Sequence, residues 1–244
     1  MHALPLLLVP GLMCDHAVWE PLLPRLTTDR SCTVVDHGQA DALPQMAHQL
    51  LASAPPQFVV AGHSMGARVV LEVLRLAPER VRGVALLDTG FLPKPAGSAG
   101  EDEAAKRLAL LQIAQSQGVR AMAQQWVRGM VHPDRLDDAA LIERILAMFE
   151  RKSADIFERQ IHALLTRPDG ADVLQRLCVP TLLMCGAQDA WSPPAQHEAM
   201  QALVAPAWAQ LDLIAQAGHM APMERPAEVA GALLGWLARV LPTP

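Results

Sequence analysis

The feature of this sequence that most constrains its fold is a glycine-flanked serine placed between an apolar run and a helical pattern. The run Phe58 to Ala61 leads directly into the sequence GHSMG at residues 62–66, and a valine-rich helical pattern follows over residues 69–73. In a strand-turn-helix setting, the two glycines let a sharp turn close without a Cβ atom striking the neighbouring backbone. The pattern therefore predicts a strained turn that raises the hydroxyl of Ser64 above the edge of a sheet.

Short apolar runs alternate with longer amphipathic stretches along most of the chain. This alternation is typical of an α/β fold with a doubly wound, mostly parallel sheet of about six strands. The predicted strands are Leu4 to Val9, Cys32 to Val35, Phe58 to Ala61, Val84 to Leu87, Thr181 to Cys185 and Gln210 to Ile214. The predicted helices cover residues 16–26, 41–53, 65–77, 169–177, 193–204 and 226–240.

One interval, Phe91 to Arg167, lacks any strand pattern. It opens with a flexible stretch, Lys94 to Gly100, and continues with several helical patterns in which apolar residues such as Leu141, Ile145 and Phe149 share a face. A parallel sheet needs no crossover of this length, so we interpret the interval as a helical insertion. The predicted organisation is a core of residues 1–90 and 168–244 with an insertion of residues 91–167.

The composition excludes several classes of function. Of the 244 residues, 51% are apolar and 18% are charged, so the chain can build a sizeable core and is not disordered. Twenty Lys and Arg against 25 Asp and Glu give a net charge of -5 without a basic cluster, which argues against a nucleic-acid partner. Neither a membrane span nor a signal peptide is visible, so we expect a cytoplasmic protein without a membrane partner.

The four cysteines, Cys14, Cys32, Cys178 and Cys185, are expected to be free thiols. They form no CxxC pair, and no histidine lies at zinc-ligand spacing from them, so we expect no metal site. Cys14 has no base beside it in the sequence and is not expected to act as a second nucleophile.

Two loops downstream supply the groups that a reactive serine requires. A serine hydroxyl is a poor nucleophile near neutral pH unless a base and an orienting acid assist it. Asp189 follows the strand Thr181 to Cys185, and His219 follows the last predicted strand. Catalytic groups in open α/β sheets gather outside the carboxyl ends of the strands. The sequence therefore predicts that Ser64, Asp189 and His219 converge on one side of the sheet.

These motifs carry a resemblance to a known family. The chain resembles the α/β-hydrolase fold superfamily over nearly its whole length. The likeness is carried by the chain order Ser64, Asp189, His219, by the GHSMG turn and by the GHxxxxExP run at 218–226. The insertion resembles the cap of that family. The resemblance implies that Ser64 is the nucleophile, His219 the general base and acid, and Asp189 the residue that holds the imidazole tautomer. It also implies an oxyanion hole made by the backbone N–H groups of Leu12 and Met65.

The sequence departs from the family pattern in three places. Pro10-Gly11 stands where relatives have His-Gly, and residues 36–39 replace a longer glycine-rich loop, which is expected to reshape the mouth of the site. The chain also begins on the strand that is normally the third. We therefore expect six parallel strands.

Several residues beside the motifs allow two interpretations. Met13 and Met220 can line an acyl pocket or fill the core, and Trp191 can line the pocket or cover the core; we select all three as substrate-binding candidates. Asp88 also follows a strand and is an alternative orienting acid, although Asp189 lies in the better motif. His63 is expected to be structural.

The activity that the resemblance implies is that of a carboxylesterase-like serine hydrolase, which cleaves small to medium esters through an acyl-enzyme without a cofactor. Relatives with the same triad hydrolyse thioesters, lactones or carbon-carbon bonds or transfer acyl groups, and some members of the fold are non-catalytic ligand receptors. These alternatives stay open. Dehalogenases and epoxide hydrolases place Asp at the position of Ser64 and are disfavoured.

Overall fold

The computed structural model describes residues 3–240 and contains a six-stranded sheet in which all strands are parallel. The strands are β1 (Leu6–Val9), β2 (Cys32–Val34), β3 (Phe58–His63), β4 (Val81–Leu87), β5 (Thr181–Gly186) and β6 (Ala209–Ile214). Their order in the sheet is β2-β1-β3-β4-β5-β6. The predicted α/β fold with six parallel strands is confirmed.

Two strands extend by two or more residues beyond their predicted ends. β4 begins earlier than expected, at Val81. The half-buried Arg82 and the buried Gly83 interrupt the apolar pattern, but the backbone still pairs Val81 with Phe58. β3 continues through His63, and every one of its residues is buried. The serine turn therefore follows β3 without an intervening loop.

Helices cover the sheet. Within the described residues they are α1 (Leu23–Leu26), α2 (Leu43–Ser53), α3 (Met65–Leu76), α4 (Ser98–Gln117), α5 (Val119–Trp126), α6 (Ala139–Glu150), α7 (Ala154–Leu165), α8 (Ala171–Gln175), α9 (Pro194–Leu203), α10 (Ala221–Glu224) and α11 (Pro226–Leu237). Short 3₁₀ helices lie at His16–Val18, Pro78–Arg80, Val127–Gly129 and Pro133–Arg135. No helix in residues 3–240 is long and apolar enough to cross a membrane.

The prediction of one continuous helix over residues 16–26 is wrong. The segment contains a 3₁₀ helix, a turn and the single turn of α1. Pro21 lies in the middle of the predicted helix, where it lacks an N–H group and its ring clashes with the preceding turn. The interrupted backbone still buries Trp19 and Leu22 completely.

The predicted helical insertion is confirmed between β4 and β5, where α4 to α8 follow one another. Side-chain caps begin two of these helices: Asp138 accepts a hydrogen bond from the backbone N–H of Leu141 in α6, and Ser153 accepts one from Ile156 in α7. The division into a core and an insertion at residues 91 and 167 stays a prediction.

Candidate active site

The serine turn between β3 and α3 has the strained geometry that its sequence indicates. Ser64 adopts φ 54° and ψ -119°, and its N–H donates to the carbonyl of Leu87 at 2.8 Å. A Cβ at Gly62 would lie 2.5 Å from the Cα of Ala67, and one at Gly66 would strike the backbone of β1. Both flanking positions therefore require glycine, and the turn holds Ser64 at the start of α3.

The structure brings together the three residues that the sequence placed on separate loops. The Oγ atom of Ser64 lies 2.8 Å from Nε2 of His219, and Nδ1 of His219 lies 2.8 Å from Oδ2 of Asp189. An ionised carboxylate can only accept hydrogen bonds, so Nδ1 carries the proton and Nε2 is the acceptor for the Ser64 hydroxyl. A continuous hydrogen-bonded line joins the acid, the imidazole and the hydroxyl.

Asp189 is held in its ionised form. Burial alone would raise its pKa, but His219 and the backbone N–H groups of Ser192 and Trp191 lower the pKa to about 2. Those two N–H groups donate to Oδ1 at 2.9 and 2.8 Å, which leaves Oδ2 for the imidazole. The carboxylate is thus both charged and fixed in orientation.

Asp88, the alternative acid, has the opposite environment. It is fully buried, and burial followed by the charge of Asp189 raises its pKa well above the ordinary value. Its Oδ1 accepts from the N–H of Gly186, and its Oδ2 lies 3.7 Å from Nε2 of His63. No hydrogen bond joins Asp88 to His219 among the described residues, so the geometry favours Asp189 as the orienting acid.

The loop that carries His219 is fixed by Glu224 and Met130, in contacts that we did not predict from the sequence. The carboxylate of Glu224 accepts from the N–H groups of Gly218 and His132 at 2.9 and 2.7 Å. The His219 N–H donates to the carbonyl of Met130 in the insertion at 2.6 Å. The glutamate of the GHxxxxExP run was the available signal for the first of these contacts; Met130 has none.

His63 also contacts the loop that carries His219. Burial, and then His219, lower the pKa of His63 to about 3, so its ring is neutral. Its Nε2 atom lies 2.8 Å from the carbonyl oxygen of His219, to which only a protonated nitrogen can donate. This contact agrees with the structural role that we expected for His63.

Two backbone N–H groups lie free beside Ser64. Met65 is the first residue of α3, and the N–H groups in the first turn of a helix have no acceptor within that helix. The loop that contains Leu12 passes close to Ser64, because a Cβ atom on Gly11 would lie 3.1 Å from the Cβ atom of Ser64. Within residues 3–240 neither Leu12 nor Met65 has an acceptor for its N–H. Both residues line the cavity above Ser64.

A cavity of about 860 Å³ opens above Ser64 and lies between the strand ends and the insertion. Ligand sites of about 300–1,000 Å³ are usual for small molecules. An aromatic cluster of Trp126, Phe149, Phe157 and Trp191 lines one part of it, and the Trp191 ring centroid lies 4.9 Å from that of His219. The cavity can therefore hold an apolar group directly beside the imidazole.

The three substrate-binding candidates do not all reach this cavity. Trp191 and Met220 line it, whereas Met13 is fully buried and is not among the lining residues. Met13 instead adopts a positive φ of 61° and donates its N–H to Oε1 of Gln160 in α7 at 2.8 Å. Gln160, which the sequence did not indicate, thereby links the insertion to the loop of Leu12.

The cysteines of the described chain are free, as the sequence predicted. Cys14 lines the cavity, but burial raises the pKa of its thiol well above the ordinary value. Such a thiol is a poor source of thiolate. No group of three or more His, Cys, Asp or Glu side chains in residues 3–240 is arranged to hold a metal ion.

Comparison with known families assigns the fold. The model of the Alpha/beta hydrolase family matches residues 6–232, so the chain belongs to this family. Its structural neighbours include esterases, lactonases and bromoperoxidases.

Three solved structures show the likeness in detail. A malate-bound thermophilic esterase from Thermogutta terrifontis is 25% identical, with 98% of this chain and 91% of that chain covered and a TM-score of 0.84. The enol-lactonase from Burkholderia xenovorans LB400 is 19% identical, with 98% and 92% covered and a TM-score of 0.85. A bromoperoxidase from Bacillus anthracis is 19% identical, with 97% and 92% covered and a TM-score of 0.83. The latter two likenesses concern the fold alone.

Among curated proteins, the chain is similar to the dihydrolipoyllysine-residue acetyltransferase component of the acetoin cleaving system of Pseudomonas putida. The two are 28% identical over 253 residues, which cover 96% of this chain. The chain spans 64% of the length of that relative.

Proposed function

We propose that this protein is a serine hydrolase that cleaves small to medium carboxylic esters through an acyl-enzyme on Ser64. The observation that carries the proposal is the line of hydrogen bonds from Asp189 through His219 to Ser64, each 2.8 Å long between the side chains, at the base of a cavity. This geometry is the one that activates a hydroxyl for attack on a carbonyl.

The first half of the reaction forms the acyl-enzyme. Ser64 Oγ attacks the ester carbonyl while its proton passes to Nε2 of His219, and Asp189 stabilises the imidazolium. The oxyanion of the tetrahedral intermediate accepts hydrogen bonds from the N–H groups of Leu12 and Met65, which have no protein acceptor within residues 3–240. Collapse breaks the bond to the alcohol, and His219 returns the proton to that leaving oxygen.

The second half releases the acid. Water gives one proton to Nε2 of His219 and attacks the acyl carbonyl, and the same two N–H groups stabilise the second tetrahedral intermediate. The bond to Ser64 Oγ then breaks, and the proton from His219 restores the serine hydroxyl. Ester and water are consumed, and acid and alcohol are formed.

The insertion, residues 91–167, acts in this proposal as a cap that limits the size of the substrate. Its aromatic side chains Trp126, Phe149 and Phe157 face the same cavity as Ser64. Trp191 and Met220 complete the apolar wall and are proposed to contact the acyl group. Met13 acts only through its amide, which fixes the loop of Leu12 against Gln160.

The same triad can cleave thioesters or carbon-carbon bonds, so the experiment must separate these reactions from ester hydrolysis. We would assay a matched butanoate ester and butanoate thioester, a lactone and a vinylogous diketone with the wild type and with Ser64→Ala. The proposal expects steady turnover of the oxygen ester and loss of this turnover in the variant. Turnover of the diketone alone would contradict it, and binding without turnover of any substrate would favour a receptor.

A further inference from the structure

A second part of the active-site cavity is cationic. Arg68 lies in α3 one helical turn beyond Ser64, Arg107 lies in α4, and Arg167 follows α7. These three residues, which we call the arginine cluster, come from three separate segments and all line the cavity. Four helical residues correspond to a rise of about 6 Å, so the cluster begins close to the reacting serine.

The arginine cluster contains more positive than negative charge. Arg167 donates to both carboxylate oxygens of Glu103 at 2.7 and 2.8 Å, and Arg107 donates from Nε to the same carboxylate at 3.1 Å. No second carboxylate joins them within ion-pair distance in the described chain. The single negative charge of Glu103 is therefore shared by two guanidinium groups.

Arg68 has no carboxylate partner at all within residues 3–240. Its one protein acceptor there is the carbonyl of Leu92, 2.9 Å from Nη1. A guanidinium has five N–H donors, so most of those of Arg68 remain available to the cavity. Arg167 joins the two ends of the insertion through Glu103 and the carbonyls of Leu92 and Leu164.

The electrostatic state of Arg68 agrees with this geometry. Burial, and then the charge of Arg167, lower the pKa of its guanidinium to about 9, which still leaves it cationic at neutral pH. At the exposed rim Lys106 and Asp102 offset each other. The cavity is thus positive in a chain whose net charge is -5, so it attracts anions that the rest of the surface repels.

We propose that the substrate is an ester that also bears a carboxylate, and that Arg68 binds this carboxylate in the field of Arg107 and Arg167. The inference rests on the proposed function and names its substrate class. The planar fork of a guanidinium matches the two oxygens of a carboxylate, and such charge-assisted pairs are about twice as strong as neutral hydrogen bonds. Because Arg68 lies one turn from Ser64, a few carbon atoms separate the carboxylate from the ester carbonyl.

The test compares two esters of equal chain length, p-nitrophenyl hemiglutarate and p-nitrophenyl pentanoate, which differ by a carboxylate in place of a methyl group. We expect the wild type to favour the hemiglutarate by about tenfold or more in kcat/KM, the size of one charge-assisted hydrogen bond. Arg68→Gln should reduce this ratio about tenfold, and Arg68→Lys should retain part of it. Arg144→Gln removes the same charge from an exposed site on α6 outside the cavity, and it should not change the ratio.

A binding measurement separates failure of this inference from failure of the proposed function. In the Ser64→Ala background, titration calorimetry should show that monomethyl glutarate binds more tightly than methyl pentanoate and that Arg68→Gln removes the difference. Equal hydrolysis of both p-nitrophenyl esters and equal binding of both methyl esters would overturn the carboxylate site while leaving the esterase proposal intact. Tight, Arg68-dependent binding without hydrolysis of any ester would support the carboxylate site and overturn the proposed function.

Discussion

The loops at the strand ends and the helical insertion contribute differently to the proposed active site. The loops after β3, β5 and β6 carry Ser64, Asp189 and His219, and each follows directly from a strand of the buried sheet. The insertion carries none of the three, but it supplies much of the cavity wall and the contacts of Met130 and Gln160. We infer that the strand ends determine the chemistry and that the insertion, together with Arg68 of α3, determines which substrate is bound.

The contrast predicts the size of mutational effects. A group that takes part in the reaction stabilises the transition state directly, whereas a wall residue changes how the substrate is held. Substitutions at the strand ends should therefore lower kcat by orders of magnitude. Those in the insertion should alter activity by smaller factors or shift the preference among substrates.

The largest effect is expected for Ser64→Ala. Removing the nucleophile of a serine protease lowers kcat by about 10⁶, and here it should abolish ester turnover. The fold should survive, because the strain of the turn is relieved by Gly62 and Gly66 rather than by the serine side chain. Initial rates and thermal unfolding of both proteins provide the check. Residual activity above about a tenth of wild type would place the nucleophile elsewhere.

Asp189→Asn should have the next largest effect. Loss of the orienting carboxylate lowers kcat by about 10⁴ in a serine protease, because the imidazole is no longer held in the correct tautomer. Asp88→Asn is the matched control: it keeps an oxygen for the N–H of Gly186 and lies away from the imidazole of His219. A greater loss in Asp88→Asn than in Asp189→Asn would reverse the assignment of the acid.

Gln160→Ala should have an intermediate effect, since it acts on the chemistry through the insertion. It leaves the buried N–H of Met13 without its acceptor, which costs about 1–3 kcal/mol of unfolding free energy and loosens the loop of Leu12. We expect kcat to fall about tenfold with a smaller change in KM, consistent with a misplaced oxyanion donor. Gln124→Ala, at an exposed site on α5, is the control. Equal kcat and KM values for the two variants would show that Gln160 does not position the loop of Leu12.

Acyl-chain length should produce a graded effect that the insertion controls. Each added methylene contributes up to about 0.8 kcal/mol on burial, which is roughly fourfold in kcat/KM until the cavity is full. Across p-nitrophenyl esters, kcat/KM should rise from acetate, reach a maximum at a short or medium chain and fall for long chains. A profile that still rises at palmitate would show that the insertion opens as a lid.

The smallest effect concerns stability rather than rate. Burial raises the pKa of Asp88 above its ordinary value of 3.8, so the folded protein holds a proton there that the unfolded chain releases. The stability from this proton is complete below pH 3.8 and is lost as the pH rises toward the folded-state pKa. Asp88→Asn cannot titrate, so its unfolding free energy should decrease less with rising pH. Urea titrations at several pH values measure this, and parallel pH profiles for the two proteins would contradict the raised pKa.

The sequence predicted that three residues converge at the strand ends and that a helical insertion follows β4, but it did not predict the contacts that the insertion makes. Ser64, Asp189 and His219 each lie in a short motif after an apolar run, and a parallel sheet brings such loops to one edge. The contact between Met13 and Gln160 joins residues 147 positions apart, and no local pattern encodes it. The arginine cluster is equally nonlocal. Proline chemistry explains the interrupted helix at residues 16–26, which the apolar pattern alone predicted as continuous.

Covalent labelling is the most direct test of Ser64 as the nucleophile. A fluorophosphonate probe reacts with an activated serine, so we expect one probe per chain, attached to Ser64 in a peptide map, with loss of turnover in proportion to labelling. Ser64→Ala should take up no probe. Complete labelling at another residue, or labelling of Ser64 that leaves turnover unchanged, would show that Ser64 is not the nucleophile.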